Sequence, residues 1–165
     1  VLRTRLISWL VKLVTEDSSP LVIKKLCSTL VVFFIRFPES WPDCVRHLTC
    51  CLFAGRAVSA AEALDMPPSS QLLKTMKPSA KLGALWFAAI LVEEVGKVDT
   101  KNIKNHHFCF KIQSNEAEAV ELMNNAIKMP NGVDSIPETF DARLVDVGLK
   151  AFQVRPYILA FPYLC

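Results

Sequence analysis

Leu21-Val22-Ile23-Lys24-Lys25-Leu26-Cys27-Ser28-Thr29-Leu30-Val31-Val32-Phe33-Phe34-Ile35-Arg36, followed by Phe37-Pro38-Glu39-Ser40-Trp41-Pro42-Asp43-Cys44-Val45-Arg46-His47-Leu48-Thr49-Cys50-Cys51-Leu52-Phe53, is the stretch whose reading decides the fold. Its β-branched run at 31–35 suits a strand, but an apolar segment of about sixteen residues is too long for one and reads as a helix over 21–36. Val22, Leu26, Thr29, Leu30 and Phe33 are the expected core face, and Val31, Val32, Phe34 and Ile35 leave little polar surface. A helix apolar nearly all round must be buried between neighbours. Pro38 ends it, and Ser40-Trp41-Pro42-Asp43 reads as a new helix start with Ser40 as the cap and Asp43 at the third helical position. Trp41, Val45, Leu48 and Leu52 form the stripe that follows, with Cys44 and Cys51 beside it. The region 21–53 is therefore expected to be two antiparallel helices joined by a tight turn.

The same logic extends in both directions. Upstream, Leu2, Leu6, Trp9, Leu10 and Leu13 share a helical face, the segment 16–20 breaks it, and Ser19 precedes Pro20 as cap and first helical residue. Downstream, the prolines at 67, 68 and 78 suggest a long mobile loop over about 55–79, unusual inside a compact domain. Ser79 then caps a helix over 80–95 that is apolar nearly all round. The segment 99–110 fits either a loop or a short helix. A helix over 115–128 puts Val120, Met123, Ala126 and Ile127 inward, a second loop covers about 129–138, and a last helix over 139–153 carries Phe140, Leu144, Val147 and Ala151.

More apolar helices thus alternate with more amphipathic ones, and the first interval between like members is about forty residues, the length of a HEAT-type unit. The fold class expected is all-α, a HEAT-like α-solenoid of stacked antiparallel helix pairs over residues 1–153. Stacked pairs make an extended inner surface suited to distributed protein recognition. The helices over 42–53 and 115–128 are the candidates to line it, with Arg46, His47, Glu118 and Glu121 as candidate interaction residues.

Composition agrees with a helical protein. The chain is 52% hydrophobic and 21% charged, and five glycines are few for a turn-rich β fold. A formal charge of +3 with scattered basic residues argues against direct nucleic-acid binding. The longest apolar stretches, 26–35 and 82–92, are half the roughly twenty residues a membrane span needs, so membrane insertion is not expected. Cys27, Cys44, Cys50, Cys51, Cys109 and Cys165 mostly lie in apolar helical patterns, where a free cysteine acts as a small hydrophobe, which suggests a reducing compartment.

Sharper chemistry has bland competitors. His106-His107-x-Cys109 resembles half a metal site, but no second pair completes four ligands. Cys44 and His47 lie three apart on a helix, yet a thiol nucleophile also needs an orienting group and a pocket. Glu93-Glu94 diverge on a helix and read as a solvated end, and Trp9, Trp41 and Trp86 read as core. No catalytic residue, metal site or cofactor is expected, and the chain is expected not to be an enzyme. A thiol- or metal-dependent enzyme is the competing class, which requires a pocket uniting Cys109, His106 and His107.

Four landmarks in order carry a family resemblance. Lys25-Leu26-Cys27-Ser28-Thr29-Leu30, the tryptophan-led Trp41-Pro42-Asp43-Cys44-Val45-Arg46-His47-Leu48, Leu91-Val92-Glu93-Glu94-Val95 and Leu149-Lys150-Ala151-Phe152-Gln153 together resemble the N-terminal third of importin-β superfamily transport receptors (karyopherins). They are most similar to the branch of transportin-SR and its fungal relatives. Val92 stands where that family usually has proline. The resemblance implies an internal fragment that starts in the second helix of repeat two and ends in the first helix of repeat five. It implies a nucleocytoplasmic transport receptor that binds a Ran-type GTPase in its GTP form, protein cargo and nuclear pore proteins, located in nucleus and cytoplasm. Residues 154–165, with Pro156 and Pro162, depart from the family pattern and are expected to be a non-homologous tail, a gene-model artefact. A HEAT scaffold unrelated to transport is the alternative within the same architecture.

Overall fold

The computed structural model describes the backbone of residues 1–98 and 106–127, and in the second stretch the side chains of 109–126. The loop expected at 129–138, the helix expected at 139–153 and the tail at 154–165 lie outside the described residues. Within them the fold is all-α, with no strand: α1 (Leu2–Thr15), α2 (Pro20–Arg36), α3 (Cys44–Ala54), α4 (Ala60–Asp65), α5 (Ser69–Thr75), α6 (Pro78–Lys97) and α7 (His106–Ile127). A 3-10 turn at Pro38–Ser40 joins α2 to α3.

Helix ends follow local chemistry. Pro20 and Pro78 each occupy the first turn of a helix, where a missing N–H costs nothing, and α6 therefore starts before Ser79, the cap expected from sequence. α1 and α3 stop by the same device. Asp17 (φ 52°) lets Ser18 N–H reach Leu13 O at 2.9 Å, and Gly55 (φ 67°) lets Arg56 N–H reach Cys51 O at 3.2 Å. Ser59 caps α4 by accepting from Glu62 N–H at 3.1 Å, the S-x-x-E pattern of a capping box.

Ser40 does not cap α3. It sits in the 3-10 turn and its hydroxyl bonds back to Phe37 O, so α3 begins only at Cys44 and has no side-chain cap of its own. The cap comes from α7. Asn115, 2% exposed, accepts from Val45 N–H at 3.2 Å through Oδ1 and donates through Nδ2 to Pro42 O at 2.6 Å and Lys111 O at 2.9 Å. One side chain thus satisfies an orphan donor of α3 and fixes α7 against it.

α6 is the hub, packed against α1, α2, α3 and α7. Its burial runs round the whole helix, through Ala80, Ala84, Leu85, Trp86, Phe87, Ala88, Leu91, Val92 and Val95, as its sequence requires. The main neighbours of α2 are α6 and α1, not α3. Gly83 marks where α6 comes closest to its neighbours. A Cβ there would lie 3.0 Å from a Val14 methyl on α1 and 3.6 Å from a Leu52 methyl on α3.

Three expectations are corrected. The buried stripe of α2 is Ile23, Cys27, Leu30, Val31 and Phe34, so Val22 and Thr29 face solvent. That of α1 is Leu6, Ile7, Leu10, Val11 and Val14, leaving Leu2 and Trp9 60% and 58% exposed, whereas Trp41 and Trp86 lie in the core. And the segment 55–79 is not one long loop. It holds α4 and α5 and buries Val58, Ala63, Leu72, Leu73 and Met76, because these apolar residues cover α3.

Gly83→Leu is expected to overpack the α1–α6–α3 crossing and destabilise the protein by about 1–3 kcal/mol in urea unfolding. An unchanged midpoint would mean that the helices are not this close in solution.

Candidate protein-interaction site

Arg46, Glu118 and Glu121, three of the four candidates from sequence, come together, and the fourth does not. Arg46 on α3 and Glu118 and Glu121 on α7 line a cleft of about 150 Å³ with Pro68, Ser69, Ser70 and Leu122. The cleft exists because α5, from the segment read as a loop, closes its third side.

Each side chain has a defined role there. The Arg46 guanidinium donates to the carbonyls of Ala63 (3.2 Å), Leu64 (3.1 Å) and Met66 (2.9 Å), so it holds the C-terminal end of α4. Ser69 Oγ donates to Glu118 Oε1 at 2.7 Å and ties α5 to α7. Partial burial raises the Glu118 carboxyl above its ordinary value; the Ser69 bond and the charge of Arg46 oppose that rise without cancelling it. Glu121 is exposed beside it. The cleft therefore holds a carboxyl group whose pKa is raised by burial, beside the exposed Glu121, with room for a cationic or hydrogen-bonding group.

His47 points the other way. It is buried, accepts from Trp41 Nε1–H at Nδ1 (3.0 Å) and donates from Nε2 to Val58 O (2.8 Å), an arrangement that requires the neutral Nε2–H tautomer. Burial lowers its pKa from the ordinary 6.5, and the Val58 carbonyl only partly offsets this. Its sulfur neighbour is Cys51, at 3.8 Å, rather than Cys44. Burial raises all four inner thiols, Cys27 to about 12, Cys50 to about 11, Cys44 and Cys51 likewise upward, which keeps them protonated and poorly nucleophilic. His47 thus belongs to the core, not to an interaction surface.

The expectation that the helix over 42–53 lines an open inner surface is also corrected. Of α3, Cys44, Val45, His47, Leu48, Thr49, Cys50, Cys51 and Leu52 are buried, because α4, α5 and α6 cover it. On α7 the buried register is Ile112, Asn115, Ala119, Leu122 and Ala126, with Val120 and Met123 partly buried. Cys109 is partly exposed near the start of α7, and the side chains of His106 and His107 lie outside the described residues. No group of three or more His, Cys, Asp or Glu placed to hold a metal occurs among the described residues.

Sequence reasoning missed Ser69, which donates to Glu118, and the exposed Trp9 and Val22, which with the half-buried Leu13 and Leu26 line a groove between α1 and α2. Ser69 follows Pro67-Pro68 at the start of a helix, a local signal that was present. Compared with known families, curated proteins and solved structures, the chain matches none.

Two pH-dependent outcomes follow from the shifts. The folded-state pKa of Glu118 is raised, so its favourable contribution is complete below the unfolded value and is lost as pH rises through the folded one. Glu118→Gln, which still accepts from Ser69, is expected to raise Tm at pH 7 and to leave it unchanged near about pH 4; a gain only at the acid end would refute the assignment. The folded-state pKa of His47 is lowered, so its contribution is present above the ordinary 6.5 and is lost as pH falls through the folded value. His47→Gln, which keeps a donor for Val58 O, is expected to remove part of the acid-side loss of Tm between pH 7 and pH 5; an identical pH profile for both proteins would count against a neutral His47.

Proposed function

We propose that this chain is a segment of a helical-repeat, protein-binding scaffold, built as a HEAT-like α-solenoid, and that it works in a nucleocytoplasmic transport receptor. The observation that carries the scaffold reading is the neighbour order. α1 lies against α3, α3 against α7 and α2 against α6, and α1–α2 and α6–α7 are in contact across these series. Serial neighbours of this kind are what a repeat stack would extend by adding helices at either end. The covering of α3 by α4 and α5 modifies that plan locally and moves the accessible polar chemistry to the cleft of Arg46, Glu118 and Glu121.

A protein partner fits this cleft better than a small molecule. At about 150 Å³ it is below the usual 300–1,000 Å³ of ligand pockets. It accommodates one projecting cationic or hydroxyl side chain, to be held by Glu118 and Glu121. A carboxyl whose pKa burial raises, set in a cleft, is a candidate binding group.

The transport reading rests on the resemblance carried by Lys25–Leu30, Trp41–Leu48, Leu91–Val95 and Leu149–Gln153. It assigns a Ran-type GTPase, protein cargo and nuclear pore proteins as partners, and nucleus and cytoplasm as the place of work. The test is binding of the protein in its natural full length to a Ran-type GTPase loaded with GTP or with GDP. Selective capture of the GTP form is expected. Absence of binding to either form by well-folded protein would overturn the transport role and leave a scaffold of another pathway.

A further inference from the structure

The segment between α3 and α6 is built to come away from the rest of the fold as a piece. α4 and α5 have six and seven residues, well under the roughly 12–15 at which a helix holds itself together in water, so both exist because of what they lie on. α4 lies on α3, and α5 on α3 and α7, whereas the helices that enclose α6 are α1, α2, α3 and α7. Residues 55–76 can therefore leave without disturbing the packing around α6. Gly55, with its φ of 67° and nothing within 4 Å of where a Cβ would stand, is a free joint at one end. Met76 and Lys77, extended ahead of Pro78, form the other. The Ser59 cap on Glu62 N–H and the Arg56–Glu62 ion pair lie inside the segment and travel with it.

The face beneath it is unlike the rest of the core. Arg46, His47, Cys50 and Cys51 fall at i, i+1, i+4 and i+5, on one side of α3, and each bonds to the segment. Arg46 donates to the carbonyls of Ala63, Leu64 and Met66, and His47 to that of Val58. Cys50 Sγ lies 3.7 Å from Ala63 O, and Val58 N–H donates to Cys51 Sγ at 3.4 Å. From α7, Glu118 accepts from Ser69. The opposite side of α3, Val45, Leu48 and Leu52, is wholly apolar, and Leu52 meets α6 at Gly83. A guanidinium, an imidazole and two thiols tolerate water far better than that side does. What fixes the segment in place is what any short ligand helix offers: the carbonyls of its C-terminal end, taken by the Arg46 fork, and an apolar stripe, here Ala63, Leu72, Leu73 and Met76.

We infer that residues 55–76 are an intramolecular occupant of a helix-binding face on α3 and α7, released as a unit, and that a partner polypeptide with a short amphipathic helix ending at Arg46 competes for the same place. Release also takes Pro68, Ser69 and Ser70 out of the cleft, so the cleft and the uncovered face of α3 are alternatives. The inference stands on residues 55–76 and is independent of the transport reading; a segment that never opens would leave the cleft reading intact.

The test uses the full chain and a synthetic peptide of residues 55–76, the segment whose fit to the face is known. Hydrogen exchange is expected to show the amides of 60–75 opening about a hundredfold more often than those of 84–92, with a weaker dependence on added urea. Leu73→Asp puts a charge at a fully buried position of the segment and leaves α3 and α7 unaltered. It is expected to strip protection from 55–76 only, and to bind the labelled peptide at least about tenfold tighter than the parent by anisotropy, because the parent's own segment competes. Adding Arg46→Lys, which removes the guanidinium fork, should weaken that binding about tenfold. Exchange of 55–76 only together with α6, loss of α6 protection in Leu73→Asp, or equal affinity of the peptide for parent and variant, including no binding to either, would each overturn the inference.

Discussion

Everything in this fold answers to the fact that α6 has no face fit for water. Along Pro78–Lys97 the buried residues follow one another from Gly83 to Ala89 without a polar interruption, so the helix must be enclosed. Enclosure needs neighbours at different angles, and α1, α2, α3 and α7 supply them. Small residues set how near they come. Ala80, Gly83, Ala84 and Ala88 let helices approach, and at Gly83 the space left is one that a single added carbon would contest with Val14. Trp86 and Phe87 then fill the remaining volume, and Lys24 covers the Trp86 ring from α2 with Nζ 5.1 Å from its centroid.

That central demand explains how the polar groups are arranged. Once α3 lies on α6 and under α4 and α5, its first turn and His47 lose access to water and need partners from other elements. Asn115 supplies the first from α7, and Trp41 with Val58 supplies the second from the segments on either side of α3. Both are hydrogen-bond solutions between neutral groups. The charged groups Arg46 and Glu118 lie where the covering is incomplete, and the cleft forms at that margin. The candidate site is thus the edge of the burial that α6 begins.

Much of this was legible in the sequence, and the failures share a cause. Helix existence was legible for α1, α2, α3, α6 and most of α7, and the complete burial of α6 followed from its composition. The facing of α1 and α2 was misjudged because both are rich enough in apolar residues that more than one stripe can be drawn. In α2 the polar residues Lys25, Thr29 and Arg36 share one side, and the true core face, Ile23, Cys27, Leu30, Val31 and Phe34, lies opposite them. When hydrophobic residues are everywhere, the scarce polar ones carry the orientation. For 55–79 the prolines outweighed a capping box at Ser59-Ala60-Ala61-Glu62 that was present to be read. Asn115 could not be read at all. Its role depends on α3 and α7 meeting seventy positions apart, and nothing local distinguishes it from Asn124 or Asn125.

The misread facing also changes what the surface of α1 and α2 presents. Trp9 and Val22, wrongly placed inside, line the α1–α2 groove together with Leu13 and Leu26, which are half-buried against the core. The two accessible surfaces then differ in chemistry as well as position. The α3–α5–α7 cleft presents Arg46, Glu118 and Glu121 in a small polar recess, while the α1–α2 groove has an apolar floor edged by Lys12, Glu16 and Lys25, and they share no residue.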